Sequence, residues 1–159
     1  MSGDAIDLIA ELERVIDAFA ADRVPYALCG GLALAIHGHP RATKDIDLLI
    51  PPGSISDALS AAARAGFTLR AGPIPLGVKT ATPQTLHRAT KVASGSHVTT
   101  DLLEVSESYR PAWEGRQVVE WRGRQLSLVS KAGLVAMKRL STRAKDLADV
   151  EALEGPNDE

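Results

Sequence analysis

The feature that most constrains this chain is the run Tyr26-Ala27-Leu28-Cys29-Gly30-Gly31, followed after thirteen residues by Asp45-Ile46-Asp47-Leu48-Leu49-Ile50. The apolar stretch 24 to 28 predicts a short buried strand that runs into the glycines, and 32 to 36 predicts the opening of a helix. Glycine lacks a Cβ, so this turn can adopt positive φ and let a ligand approach the backbone. The free N–H groups of the helix start then favour a phosphate. Asp45 and Asp47 stand at i and i+2 of the next predicted strand, 45 to 50. Alternation sends both carboxylates to one face and Ile46, Leu48 and Ile50 to the other, into the core. Two carboxylates this close repel each other unless a cation lies between them. Hard oxygen donors of this kind suit Mg²⁺ held jointly with substrate phosphates.

Composition narrows the setting. With 159 residues and 45% hydrophobic content, the chain is expected to form one domain over residues 1 to 159, burying roughly 70% of its unfolded surface. A net charge of −2 argues against a broad basic footprint on duplex nucleic acid, while leaving room for a local patch that meets a triphosphate or an RNA end. Cys29 is the only cysteine, which excludes an intrachain disulfide and a cysteine zinc cluster; a buried, unreactive thiol is its expected role. Asp4, Asp7, Glu11 and Glu13 crowd the start of the chain, unlike a positively headed secretory signal, and no apolar run is long enough to span a membrane. A cytoplasmic protein without membrane contact is expected.

The rest of the chain reads as alternating helices and strands. Ile9, Leu12, Ile16 and Phe19 recur at helical spacing, predicting an amphipathic scaffold helix over 4 to 21 with Asp4 as its N-cap. Pro51-Pro52-Gly53 ends the aspartate strand, and 54 to 65 is an alanine-rich helix stopped by Gly66. After a short strand at 67 to 70, the stretch 71 to 84 holds three prolines and two glycines and reads as a loop or an irregular edge hairpin. Strands at 86 to 92 and 97 to 105 flank a turn at 93 to 96, and strands at 117 to 121 and 125 to 128 flank Arg122-Gly123-Arg124. Ser130 is the expected N-cap of a helix carrying Leu134, Met137 and Lys138, with a further helix after Ser141 or Thr142. The sum is an α+β fold: a mixed β-sheet with helices mainly on one face, an N-terminal helix and a C-terminal helical segment.

Through the diglycine turn, the alanine-rich helix and the Asp-x-Asp strand, the chain resembles the nucleotidyltransferase superfamily that shares the DNA polymerase beta palm fold. That signature is Gly-Gly or Gly-Ser, a helix, then Asp-x-Asp or Asp-x-Glu on a strand. The run Arg41-Ala42-Thr43-Lys44-Asp45-Ile46-Asp47-Leu48 is most similar to small bacterial members, including the AbiEii-type and minimal nucleotidyltransferases of toxin-antitoxin systems. The resemblance implies a third carboxylate on a later apolar strand, and Asp101 in Val98-Thr99-Thr100-Asp101-Leu102-Leu103 fits it. Glu104 competes for that place, but a regular strand turns it to the face opposite Asp101. The resemblance also implies a lysine on the helix after Ser130, here Lys138, and a Lys-Asp-x-x-Asp segment, matched by Lys145-Asp146-Leu147-Ala148-Asp149. Thr43 is expected to point toward the nucleotide and Arg41 to order the loop. The matching motifs cover residues 26 to 50 and 98 to 105 and, more loosely, 130 to 153.

The expected activity is a Mg²⁺- or Mn²⁺-dependent transfer of NMP from an NTP to a hydroxyl acceptor, with pyrophosphate leaving. Asp45, Asp47 and Asp101 would hold the metal, and Gly30, Gly31, Thr43 and Lys138 the nucleotide. The acceptor is open between a small molecule, an RNA 3′ end and a protein. Two other classes are carried: a catalytically silent binding protein, such as one component of a toxin-antitoxin pair, and a metal-dependent glycosyltransferase, which also uses Asp-x-Asp. The chain contains no His-Glu-x-x-His helix, P-loop or Gly-x-Ser-x-Gly elbow, which removes the commonest rival chemistries.

Overall fold

A computed structural model describes residues 7–40 and 42–140. Asp4, Arg41, the Lys145 to Asp149 segment and the helix expected after Ser141 or Thr142 lie outside the described residues.

The first helix, α1 (Leu8–Ala21), opens on Asp7, whose carboxylate accepts from the backbone N–H groups of Ile9 and Ala10. The cap is thus Asp7, three residues beyond the expected Asp4. It satisfies two of the donors that every helix start leaves unpaired, a contribution of about 1 kcal/mol. Leu12, Val15, Ile16 and Phe19 form the buried stripe. The helix ends in a Schellman closure: Arg23 takes φ +56°, its N–H donates to the Ala20 carbonyl, and the Val24 N–H donates to the Phe19 carbonyl at 2.9 Å. That closure uses up Val24, so the following strand, β1 (Ala27–Cys29), starts later than apolarity alone suggested.

The remaining elements are α2 (Gly30–Ile36), β2 (Asp45–Ile50), α3 (Ile55–Arg64), β3 (Leu69–Leu76), β4 (Gln84–Ala93), β5 (Ser96–Glu104), α4 (Arg110–Glu114), β6 (Gln117–Trp121), β7 (Arg124–Leu128) and α5 (Lys131–Arg139). The strands form one seven-stranded sheet in the order β3-β4-β5-β2-β1-β7-β6. It is mixed: β2 runs parallel to β5 and β1 parallel to β7, and the other neighbours are antiparallel. Of the segment 71 to 84 read as a loop or edge hairpin, the part to Leu76 continues the edge strand β3, a turn follows, and Gln84 opens β4; the β3–β4 pairing shifts register between Ala71 and Ile74. Prolines 73 and 75 explain both the reading and the place. They cannot donate to a ladder, so an irregular edge is where a sheet tolerates them.

Directly opposed residues on neighbouring strands share a face, which sorts the side chains. Ile46, Leu48 and Ile50 point to the face where α1 and α3 pack. Lys91 marks that packing, since its ammonium donates to Glu11 of α1 at 2.7 Å and to the Ala65 carbonyl behind α3 at 3.2 Å. The core between these layers includes Leu12, Phe19, Leu28, Ile46, Leu48 and Phe67, all fully buried. Each large side chain so enclosed contributes about 1.5–3 kcal/mol. Phe19 also meets Tyr26 edge to face, with ring centroids 5.8 Å apart. Asp45, Asp47 and Asp101 occupy the other face.

Candidate active site

The site is built where β2 lies between β1 and β5. Asp47 pairs with Cys29 on one side and with Asp101 on the other, and Asp45 pairs with Thr99. The pairing is in register along β2 and β5, so Asp45, Asp47 and Asp101 share one face. Glu104, opposite Ile50 in the same ladder, falls on the other face as its parity requires, and there the His87 ring nitrogen Nε2 lies 2.7 Å from its carboxylate.

The diglycine turn sits directly against this face. Gly30 takes φ +71°, a conformation that an L side chain enters only at a cost. A Cβ placed there would overlap the Asp47 carboxylate, with the Cγ atom at 2.8 Å. Both the backbone angle and the available space require glycine here. A Cβ on Gly31 would come within 2.9 Å of Thr43 Oγ1, so Thr43 closes over the second glycine, and its hydroxyl also donates to the Asp45 carbonyl at 3.4 Å. Helix α2 begins at Gly30 with no side chain capping its first turn.

Each carboxylate has its own surroundings. The Thr99 hydroxyl donates to Asp45 Oδ1 at 2.6 Å. Asp47 is half-buried beneath the turn. Asp101 is buried, and both its oxygens accept from the Arg88 guanidinium, from Nε at 2.9 Å and from Nη2 at 3.1 Å. Arg88 stands directly opposite Asp101 in the β4–β5 ladder. Hydrogen bonding to Asp101 and then its charge, with Asp45 and Asp47 adding to them, push the Arg88 pKa above its ordinary value. The guanidinium therefore senses all three aspartates.

Helix α5 brings Lys138 toward the same strands. Ser130 caps it by accepting from the Gly133 N–H at 3.0 Å, as the sequence implies. The His37 ring nitrogen Nε2 lies 2.9 Å from the Val129 carbonyl, tying the end of α2 to the residue that leads into α5. Burial raises the Cys29 thiol pKa well above its ordinary value. The Asp47 charge adds to that rise, and Lys138 opposes it. Lys138 is thus within electrostatic reach of the strand next to Asp47. On the other flank, Lys44, Asp45, Gly95, Ser96 and His97 line an open groove of about 420 Å³.

Among the described residues no group of three or more His, Cys, Asp or Glu side chains is arranged to hold a metal ion. Asp45 and Asp47 fit a hard divalent cation in donor chemistry and in face. Asp101 shares the face, but its two oxygens are engaged by Arg88. Sequence reasoning did not single out Arg88 or Thr99. The signal for both was their parity within β4 and β5, usable only once the hairpin register is known.

This arrangement of sheet and helices is the nucleotidyltransferase fold. The AbiEii nucleotidyl transferase toxin family of type IV toxin-antitoxin systems matches residues 12–106, and the chain belongs to that family. Among solved structures it is similar to TM1012 of Thermotoga maritima, assigned as a nucleotidyltransferase, at 14% identity and a TM-score of 0.60 over 92% of this chain and 90% of that one. It is similar also to ANT(2")-Ia in complex with adenylyl-2"-tobramycin, at 12% identity and a TM-score of 0.61 over 92% and 86%. JHP933 from Helicobacter pylori matches at 17% identity and a TM-score of 0.55 over 91% of this chain and 63% of that one. No curated protein matches in sequence.

Proposed function

We propose that this nucleotidyltransferase is metal-dependent and transfers NMP from an NTP to a hydroxyl acceptor, releasing pyrophosphate. The observation that carries the reading is the convergence of Asp45, Asp47 and Asp101 on one face of adjacent strands, with the Gly30 turn packed against Asp47. Asp45 and Asp47 would hold Mg²⁺ or Mn²⁺, with Asp101 as the third carboxylate. When bound, such ions neutralise phosphate charge and lower the pKa of an attacking hydroxyl.

The chain's own residues do the placing. The backbone N–H groups of Gly30 and Gly31 would meet the β and γ phosphates, since the start of α2 has no side-chain cap. Thr43 keeps the turn closed over the Asp45 strand, and Lys138 adds positive charge from α5. The groove beside Asp45 gives room for a nucleoside or an acceptor. These groups fix the in-line geometry and supply charge stabilisation, which is most of what phosphoryl transfer asks of a protein.

The test is to incubate the protein with each α-labelled NTP, Mg²⁺ or Mn²⁺, and cell extract, and to follow label into RNA, protein or small molecules. Label entering one of these pools, and absent with Asp47→Asn, is the expected result. The pool that takes it up identifies the acceptor class. Family membership makes a protein partner of the antitoxin kind part of the proposal, and the engagement of Asp101 by Arg88 favours a second reading in which the fold binds without turning over. No transfer from any of the four NTPs would select that second reading. Nothing in the site favours the glycosyltransferase.

A further inference from the structure

The third carboxylate is not idle. Asp101 is buried, and both its oxygens are taken by a guanidinium that stands opposite it in the ladder. A two-pronged Arg–carboxylate pair of this geometry is among the stronger polar contacts a protein makes. It engages both Asp101 oxygens, so a cation shared with Asp45 and Asp47 has to compete with the guanidinium for them. The Arg88 side chain is 42% exposed against 10% for Asp101, so the arginine is the more solvated partner of the pair.

We propose that Arg88 is a positioning residue that competes with the divalent cation for Asp101, so that in the nucleotide-free protein the cation is held by Asp45 and Asp47 alone. The inference rests on the metal-dependent reading above. Its physical basis is a balance of charges on one face. The Arg88–Asp101 pair is close to neutral as a unit and contributes little attraction to a cation a few ångströms away. Removing the guanidinium alone leaves a third negative oxygen pair beside the other two and takes away a positive charge, and both changes favour the cation. Removing the pair together changes neither the net charge nor the two ligands in use.

The experiment is a Mn²⁺ titration of the purified protein without nucleotide, read as the electron paramagnetic resonance signal of free Mn²⁺. Four proteins are compared: wild type, Asp47→Asn, Arg88→Gln, and the double variant Arg88→Gln/Asp101→Asn. Arg88→Gln is expected to bind Mn²⁺ about tenfold more tightly than wild type. The double variant, whose two amides can still hydrogen-bond, should stay within about threefold of wild type. If the double variant loses as much affinity as Asp47→Asn, Asp101 is already a ligand and the inference is overturned. If Arg88→Gln binds no more tightly than wild type, it is overturned as well. Should Arg88→Gln fail to fold by circular dichroism, the neutral double variant decides alone. Asp47→Asn separates the two levels: if it binds Mn²⁺ as well as wild type, the metal reading itself fails and takes this inference with it. If it loses binding while Arg88→Gln gains none, only the role of Arg88 falls.

Discussion

Arg88 and Lys91 of strand β4 make ion pairs three residues apart, one on each face of the sheet, and the two pairs are opposites in design. Lys91 reaches Glu11 at 2.7 Å, while Arg14 donates to the same carboxylate at 2.9 Å and the Phe67 ring lies beneath the ammonium. Every charge there has a partner on the scaffold side. Arg88 also holds a carboxylate by two bonds, but Asp45 and Asp47 stand close by on the same face. That face carries more negative charge than the arginine can offset. The first pair closes α1 and α3 onto the sheet; the second sits among three carboxylates on one face, with Lys138 of α5 adding positive charge within electrostatic reach. An excess of like charge on an otherwise satisfied fold marks a binding site more clearly than the presence of a salt bridge does.

Removing charge from the aspartate face should have the largest effect. Asp47→Asn should lower transfer by about a thousandfold or more while shifting the thermal midpoint by only about a few degrees. Single-turnover label transfer and a thermal melt read the two effects separately. A large drop in melting temperature would mean that Asp47 is part of the scaffold and that the two faces do not differ as argued.

On the scaffold side the expectation reverses. Lys91→Met removes one partner of a mostly buried pair and leaves Glu11 with Arg14 alone, so stability should fall by about 1.5–3 kcal/mol, measured by urea denaturation. The transfer rate of the folded fraction should be unchanged. Gly30→Ala lies between the two, since Gly30 belongs to both. Its φ of +71° and the overlap with the Asp47 carboxylate should cost about 1–3 kcal/mol, with turnover lost as the carboxylate is displaced. Gly31→Ala meets Thr43 instead, with no positive φ to strain, and should cost less. Equal effects at the two glycines would remove the argument that Gly30 is fitted to Asp47.

How much of this was legible without coordinates follows from the range of the interactions. The shared face of Asp45 and Asp47 is a local consequence of strand period, and the Ser130 cap is a local hydrogen bond, so both can be read from a few neighbouring residues. The fold class follows from the order of such segments. The partner of Asp101 cannot be read this way. It depends on the β4–β5 register, which is set by a turn whose Ser94 and Gly95 both take positive φ, and one residue of slip would bring a different residue opposite Asp101. Helix α4 went unread because five residues beginning Arg110-Pro111 show no period. β1 began later than expected because the Schellman closure of α1 used up Val24. Errors gathered where backbone closure or register decided the outcome, whereas the face that Asp45 and Asp47 share follows from parity alone.

The smallest expected effect lies at Cys29, where the two regions meet. The residue pairs with Asp47 in the β1–β2 ladder but is itself 1% exposed. Burial first, and the Asp47 charge second, hold its thiol protonated well above the ordinary range, with Lys138 opposing. The folded state therefore keeps a proton that the unfolded chain releases above about pH 8.5. Because the folded form binds more protons there, stability must fall as pH rises, by at most about 1.4 kcal/mol per pH unit from this group. Urea denaturation of wild type and Cys29→Ala at pH 7.5 and pH 9.5 should show a steeper loss in wild type, and the native thiol should resist alkylation at both pH values. Equal slopes would mean that water reaches Cys29 from the carboxylate side, making the boundary between the charged face and the closed core softer than the packing of Gly30 on Asp47 implies. A slope difference near the limit would place that boundary at a single strand, with the charge surplus beginning one residue pair away from a dry interior.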